Sequence, residues 1–132
     1  TTAVGNLTTT QIDAIQAGVT NNLSTTQFGA LSLAQLGSFS TAQVRALTTA
    51  QVTAISTSQL SGLTATILGV LTAPQIASLS TTDIQDLTTT QLGGFLSAQI
   101  GALTSAQIQV LTTIQLGGLT TTQVKGLEPV DV

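Results

Sequence analysis

The chain has 132 residues, of which 5% are charged, and a formal net charge of -3, whereas about a quarter of the residues in an ordinary globular protein are charged. Hydrophobic residues make up 42%, too many for a disordered tail, which joins low hydrophobicity to high net charge. They occur singly or in clusters such as Ile67-Leu68-Gly69-Val70-Leu71, far short of the roughly 20 apolar residues of a membrane-spanning helix.

One eight-residue unit fills the sequence: apolar, Ser/Thr, small, small, Gln, apolar, variable, small. The copy Leu47-Thr48-Thr49-Ala50-Gln51-Val52-Thr53-Ala54 is representative. Residues 1–6 read as a partial copy with Val4 at the sixth position, fifteen octads run without insertion over 7–126, and 127–132 begin another. The first position is Leu7, Ile15, Leu23, Leu31, Phe39, Leu47 and so on to Leu119. The sixth is apolar everywhere except at Thr20. A solenoid normally ends in atypical capping units, but here the register runs to both termini. The expectation is a window from a longer array or a subunit whose ends abut neighbours, with Glu128 and Asp131 giving the last copy some cap-like polarity. A chain beginning at Thr1 reads as a processed or excised segment.

An eight-residue period cannot serve one straight helix, because eight residues advance it by about 800° and the apolar stripe drifts by about 80° per copy. Nor can it serve one strand, where positions one and six fall on opposite faces. The chain must bend once per octad. A Ser or Thr followed three residues later by Gln is a capping box, in which hydroxyl and carboxamide satisfy each other's backbone amides at a helix start. It occurs at Thr8/Gln11, Ser24/Gln27, Ser32/Gln35, Ser40/Gln43, Thr48/Gln51, Ser56/Gln59, Thr72/Gln75, Thr88/Gln91, Thr104/Gln107, Thr112/Gln115 and Thr120/Gln123, with Ser80/Asp83 a near variant. Positions one and six flank each cap as a hydrophobic staple. Pro74 and Pro129 fall in first helical turns, where a missing amide proton costs little. Gly, Ala or Asn at positions seven and eight reads as the stop before the next start.

The fold expected is therefore all-α: a solenoid of very short capped helices, one per octad, with positions one and six turned inward. One octad cannot stand alone. Burying its two aliphatic side chains gains roughly 3–6 kcal/mol, against roughly 8–16 kcal/mol to order eight residues. Three copies depart from the rule. In the irregular octad 15–22, Ile12, Ile15 and Val19 stand at helical spacing, which predicts a longer first helix ended by Gly18 or Asn21. Ile67 replaces Gln, and Leu96 replaces the cap; both read as drift or as lateral contacts. The rival architecture is a β-solenoid with coils of 16 or 24 residues, suggested by the Thr, Val and Ile content and by Gly93-Gly94 and Gly117-Gly118, and weakened by its prolines.

Chemistry has little to work with. The ionisable side chains are Asp13, Arg45, Asp83, Asp86, Lys125, Glu128 and Asp131, with no His, Cys or Tyr, so general acid–base catalysis, transition-metal binding and an activated Ser nucleophile all lack their partners. We expect no enzyme, no catalytic residues, no cofactor and no metal. Asp83 and Asp86 read as a solvated surface pair, with a weak cation site as the sharper alternative. Two basic residues cannot neutralise a nucleic-acid backbone, and Phe28, Phe39 and Phe95 occupy inward positions of the repeat. Asn6-Leu7-Thr8 and Asn22-Leu23-Ser24 are chance-level N-glycosylation triplets. What remains is an uncharged hydroxyl- and amide-rich surface, suited to self-association or to O-linked glycan on Ser and Thr.

The octads, most clearly Leu103-Thr104-Ser105-Ala106-Gln107-Ile108, resemble the Leu-Thr-Thr-X-Gln-(Ile/Val/Leu)-X-X tandem repeats of large bacterial exoproteins, often labelled adhesin-like. The likeness spans nearly the whole chain, and the octads at Ile15 and Leu63 depart from it. It implies a bacterial, extracellular or cell-surface setting and supplies no ligand residues. The expected role is that of a structural subunit or segment of an extracellular fibre or surface appendage. The alternative is an adhesion module holding a carbohydrate or a protein, for which Arg45, Asp83, Asp86 and Lys125 are the non-repeating candidates.

Overall fold

The computed structural model describes residues 2–127. The Pro129 helix start and the acidic cap at Glu128 and Asp131 lie outside them. Among the described residues sixteen short helices follow one another. The first eight are α1 (Thr2–Gly5), α2 (Thr9–Asp13), α3 (Ala17–Thr20), α4 (Thr25–Gly29), α5 (Leu33–Gly37), α6 (Thr41–Ala46), α7 (Thr49–Thr53) and α8 (Thr57–Ser61). The second eight are α9 (Ala65–Leu68), α10 (Ala73–Ala77), α11 (Thr81–Asp86), α12 (Thr89–Gly93), α13 (Ser97–Ile100), α14 (Ser105–Gln109), α15 (Thr113–Gly117) and α16 (Thr121–Val124). The described residues contain no strand, so the β-solenoid alternative falls and the all-α solenoid stands.

Each helix starts where the octad predicts. The cap residue is extended, as at Thr48 (φ -73°, ψ 156°), and its hydroxyl accepts from the amide three residues on, as from Gln51 at 3.1 Å. The Gln carbonyl oxygen accepts from the cap amide in return, at 3.0 Å in the same box. Ser80/Asp83 forms the same reciprocal pair. At Leu96, which has no hydroxyl, only the returning half exists, from Leu96 N–H to Gln99 Oε1 at 2.7 Å. Pro74 sits in the first turn of α10.

The octad at Ile15 is a correction. α2 ends at Asp13 with Ala14 as its C-cap, and α3 is a separate helix capped by Gln16 without a side-chain hydrogen bond. Ile12 and Val19 thus belong to different helices. The spacing of apolar residues imitates one helix, but Gln16 is extended (φ -63°, ψ 143°) and breaks the ladder.

The helices wind three to a coil. α4 packs on α1, α5 on α2, α6 on α3 and α7 on α4, and the pattern continues to α16 on α13. One coil therefore takes three octads. Positions one and six point to the axis and form a single continuous core from Val4 to Leu111. Phe28 and Phe39 meet edge to face in it, with centroids 5.8 Å apart. The axis is filled: the void enclosed between Phe28 and Leu71 measures about 20 Å³, room for about one water.

The helices end at positions seven and eight as expected, at Gly93 and Gly94 for example, and the glycines there have a second use. No described residue has a positive φ, so none is a left-handed helix cap. Position eight, and position seven in some octads, is where adjacent coils approach closely. A Cβ on Gly94 would lie 2.5 Å from the Ala65 carbonyl oxygen of the coil before it, and one on Gly126 would collide with Ser97. A Cβ on Gly93, by contrast, would have nothing within 4 Å of it. The two neighbours therefore separate backbone freedom from packing. Gly94→Ala should destabilise the fold by roughly 1–3 kcal/mol through overpacking, while Gly93→Ala should stabilise it by roughly 0.4–1 kcal/mol by stiffening the unfolded chain. Urea denaturation of the two variants checks the opposite signs.

Candidate functional site

The feature that recurs with most chemistry is the position-five glutamine. Its Oε1 belongs to its own cap, as predicted. Its Nε2 reaches the preceding coil, which the octad alone does not announce. Gln51 Nε2 donates to Thr20 O and Leu23 O, both at 2.8 Å. Gln75 donates to Val44 O at 2.9 Å and Leu47 O at 2.7 Å, Gln107 to Ile76 O at 3.0 Å and Leu79 O at 2.7 Å, and Gln123 to Leu92 O and Phe95 O at 2.8 Å each. The acceptors stand 31 and 28 residues earlier in each of these pairs. They are the carbonyl of a sixth position, at the end of a helix, and that of the following first position, in the bend between helices. One carboxamide thus joins the start of its own helix to the corner of the coil below, and both ends of the amide are used.

Burial follows that geometry. Gln43, Gln51, Gln75 and Gln107 are 1–2% exposed, yet no buried side-chain nitrogen or oxygen among the described residues lacks a hydrogen-bond partner. Nearest the N-terminus, Gln11 in α2 is exposed and Gln27 in α4 only partly buried, although both keep their caps. A neutral amide is the natural occupant. It supplies two donors and an acceptor with no charge to desolvate.

The sequence-predicted ionisable residues are not brought together. Asp13, Arg45, Asp86 and Lys125 are exposed on four different octads. The reading of Asp83 and Asp86 as a solvated pair is corrected: Asp83 is buried, 8% exposed, and accepts from Ser80 N–H (3.0 Å), the Ser80 hydroxyl (2.7 Å) and the Thr57 hydroxyl (2.9 Å). The Thr57 bond crosses to the coil below, so Asp83 replaces Gln as a coil-to-coil contact of opposite polarity. Among the described residues no group of three or more His, Cys, Asp or Glu is placed to hold a metal ion. Asp13 lines a shallow open cleft with Thr9, Thr10 and Ser38. Phe28, Phe39 and Phe95 are in the core. Ile67 is half-buried against the core, whereas Leu96 is 64% exposed. Asn6 and Asn22 are exposed. No helix among the described residues is long and apolar enough to cross a membrane.

The two roles of the glutamine separate by substitution. Gln51→Glu keeps the acceptor for the cap but sets a carboxylate against two carbonyls, and should cost roughly 3 kcal/mol or more. Gln11→Glu, at an exposed position, should stay within about 0.5 kcal/mol of the parent. Equal losses in guanidinium denaturation would mean that the cap alone matters.

The family model of the ALTTAQ repeat matches residues 33–65, 76–113 and 96–129. No curated protein and no solved structure matches the chain.

Proposed function

The chain belongs to the ALTTAQ repeat family, and from that premise we propose that this tandem-repeat structural protein acts as a self-associating subunit or segment of an extracellular fibre or surface appendage. The observation that carries the reading is the use of the repeat itself. Positions one and six build the core, position five ties coil to coil, and position eight, with seven in some octads, lets the coils approach. Positions two to four, and position seven in most octads, remain for the outside. They present hydroxyls such as Thr9, Thr10, Thr25, Thr26, Thr89 and Thr90, all exposed.

An outer face with so few charges repels its own kind weakly, since only 5% of the residues are charged where a soluble domain has about 25–35% charged residues on its surface. That favours a subunit packed in an assembly, and the same hydroxyls are acceptors for O-linked glycan in an extracellular or cell-surface setting. The chain is not an enzyme in this reading, since the scattered Asp13, Arg45, Asp86 and Lys125 provide neither a base nor a nucleophile in one place. An adhesion role needs a cluster of non-repeating residues on one face, and those four do not supply it.

Static light scattering of the purified chain over a wide concentration range tests the proposal. The weight-average mass should rise with concentration, and electron microscopy should find elongated particles. A monodisperse monomer at high concentration would remove self-association.

A further inference from the structure

Because a coil takes three octads, a cut through the chain breaks the ties that the next three octads make to the three before them. A cut after Gly94 meets Gln99, Gln107 and Gln115, all buried and each bonded to at least two carbonyls one coil earlier. Cuts on either side of α8 meet weaker ties. The one before it crosses residues 59, 67 and 75, and the one after it crosses 67, 75 and 83. Gln59 is half-buried, whereas the other cross-coil glutamines among the described residues are buried. Ile67 carries no donor for Leu36 O and Phe39 O, the carbonyls at the usual offsets. Its cap keeps only the bond from Ile67 N–H to Thr64 Oγ1, at 3.3 Å. Asp83 has no donor for Val52 O and Ile55 O, and accepts from the Thr57 hydroxyl instead. Gln75 alone spans both cuts intact. Packing is loosest at the same level. Helices three apart along the chain pack closely except α5 with α8 and α6 with α9. The void on the axis is walled there by Leu36, Phe39, Leu60, Leu63 and Ile67.

We propose that α8 is a hinge built into the solenoid, which opens there first into two bodies, residues 2–54 and 63–127. Each body keeps its own glutamine ties, Gln35, Gln43 and Gln51 in the first and Gln99, Gln107, Gln115 and Gln123 in the second. This goes beyond self-association and does not depend on it. The stability of a repeat array is approximately a sum of unit and nearest-neighbour interface terms, so the weakest interface sets where the array divides. Two of the three ties are weakened or missing on either side of α8, and the loose helix pairs and the void coincide with them. In a structural segment, that level is where the rod bends or yields to tension before any other.

Backbone hydrogen exchange of the whole chain, followed by NMR, tests the hinge. A helix as short as α8 melts once its packing is lost. The buried Leu60 and Leu63, whose amides donate to Ser56 O and Leu60 O, are therefore compared with the buried Leu92 and Ile100, which donate to Thr88 O and Leu96 O. In the parent the α8 pair should exchange at least about tenfold faster than the other pair. Two variants then separate the coil tie from the cap. Ile67→Gln completes the Thr64 capping box and supplies the donor for Leu36 O and Phe39 O, while Ile67→Glu completes the box alone. The Gln variant should slow the α8 pair relative to Leu92 by about tenfold, and the Glu variant should not slow it. Equal protection of the two pairs in the parent would overturn the hinge, whether or not either variant folds. Equal slowing by Gln and Glu would overturn it too, because the weakness would then lie in the Thr64 cap.

Discussion

A buried carboxamide that bonds at both ends is the constraint from which the rest of the solenoid follows. Helices of four to six residues are too short to be stable by themselves, because nucleation is costly and few internal hydrogen bonds form. They also consist mostly of ends, and each end exposes backbone groups that need partners. In octad after octad, Gln Oε1 answers the amide at the start of its helix while Nε2 answers two carbonyls in the bend one coil below. Glutamate lacks the donors, lysine and arginine lack the acceptor, and asparagine is a methylene shorter. The octad keeps Gln in twelve of fifteen copies for a reason that a helix cap alone does not supply.

Coil spacing follows from the same bond. A carboxamide reaching directly to backbone carbonyls at 2.7–3.0 Å brings the coils close, and the small residues found mostly at position eight are what that closeness requires. Gly94 against Ala65 and Gly126 against Ser97 are two of the close approaches that result. The core is correspondingly narrow, one row of aliphatic and phenyl side chains along the axis with space for about one water.

Local features were legible in the sequence, and long-range ones were not. The cap, the staple and the inward turn of positions one and six are encoded within a few residues, so Thr48/Gln51 and its equivalents could be read directly. The bond from Gln51 to Thr20 and Leu23 spans about thirty residues and leaves no local mark. Its one trace was the recurrence of Gln where Glu would cap a helix equally well. The glycines mark the helix ends as read, but their second use was not legible: all described φ values are negative, and what demands glycine at Gly94 or Gly126 lies in the neighbouring coil. Asp83 misled for a similar reason. Its exposure could not be judged until Thr57 and Ser80 were placed around it. At Ile15 the apolar spacing of Ile12, Ile15 and Val19 matched a helix that the extended Gln16 interrupts.

Hydrogen exchange of the glutamine side-chain amides, followed by NMR, bears most directly on the central claim. If Nε2 is a coil-to-coil donor, the protons of Gln51, Gln75 and Gln107 should exchange only through opening of the solenoid, with protection comparable to that of the surrounding backbone amides. Those of Gln11 and the exposed Gln109 should exchange at rates close to those of a free side chain. Unprotected, equal exchange at all five would contradict the account, because it would leave the glutamine as a helix cap and nothing more.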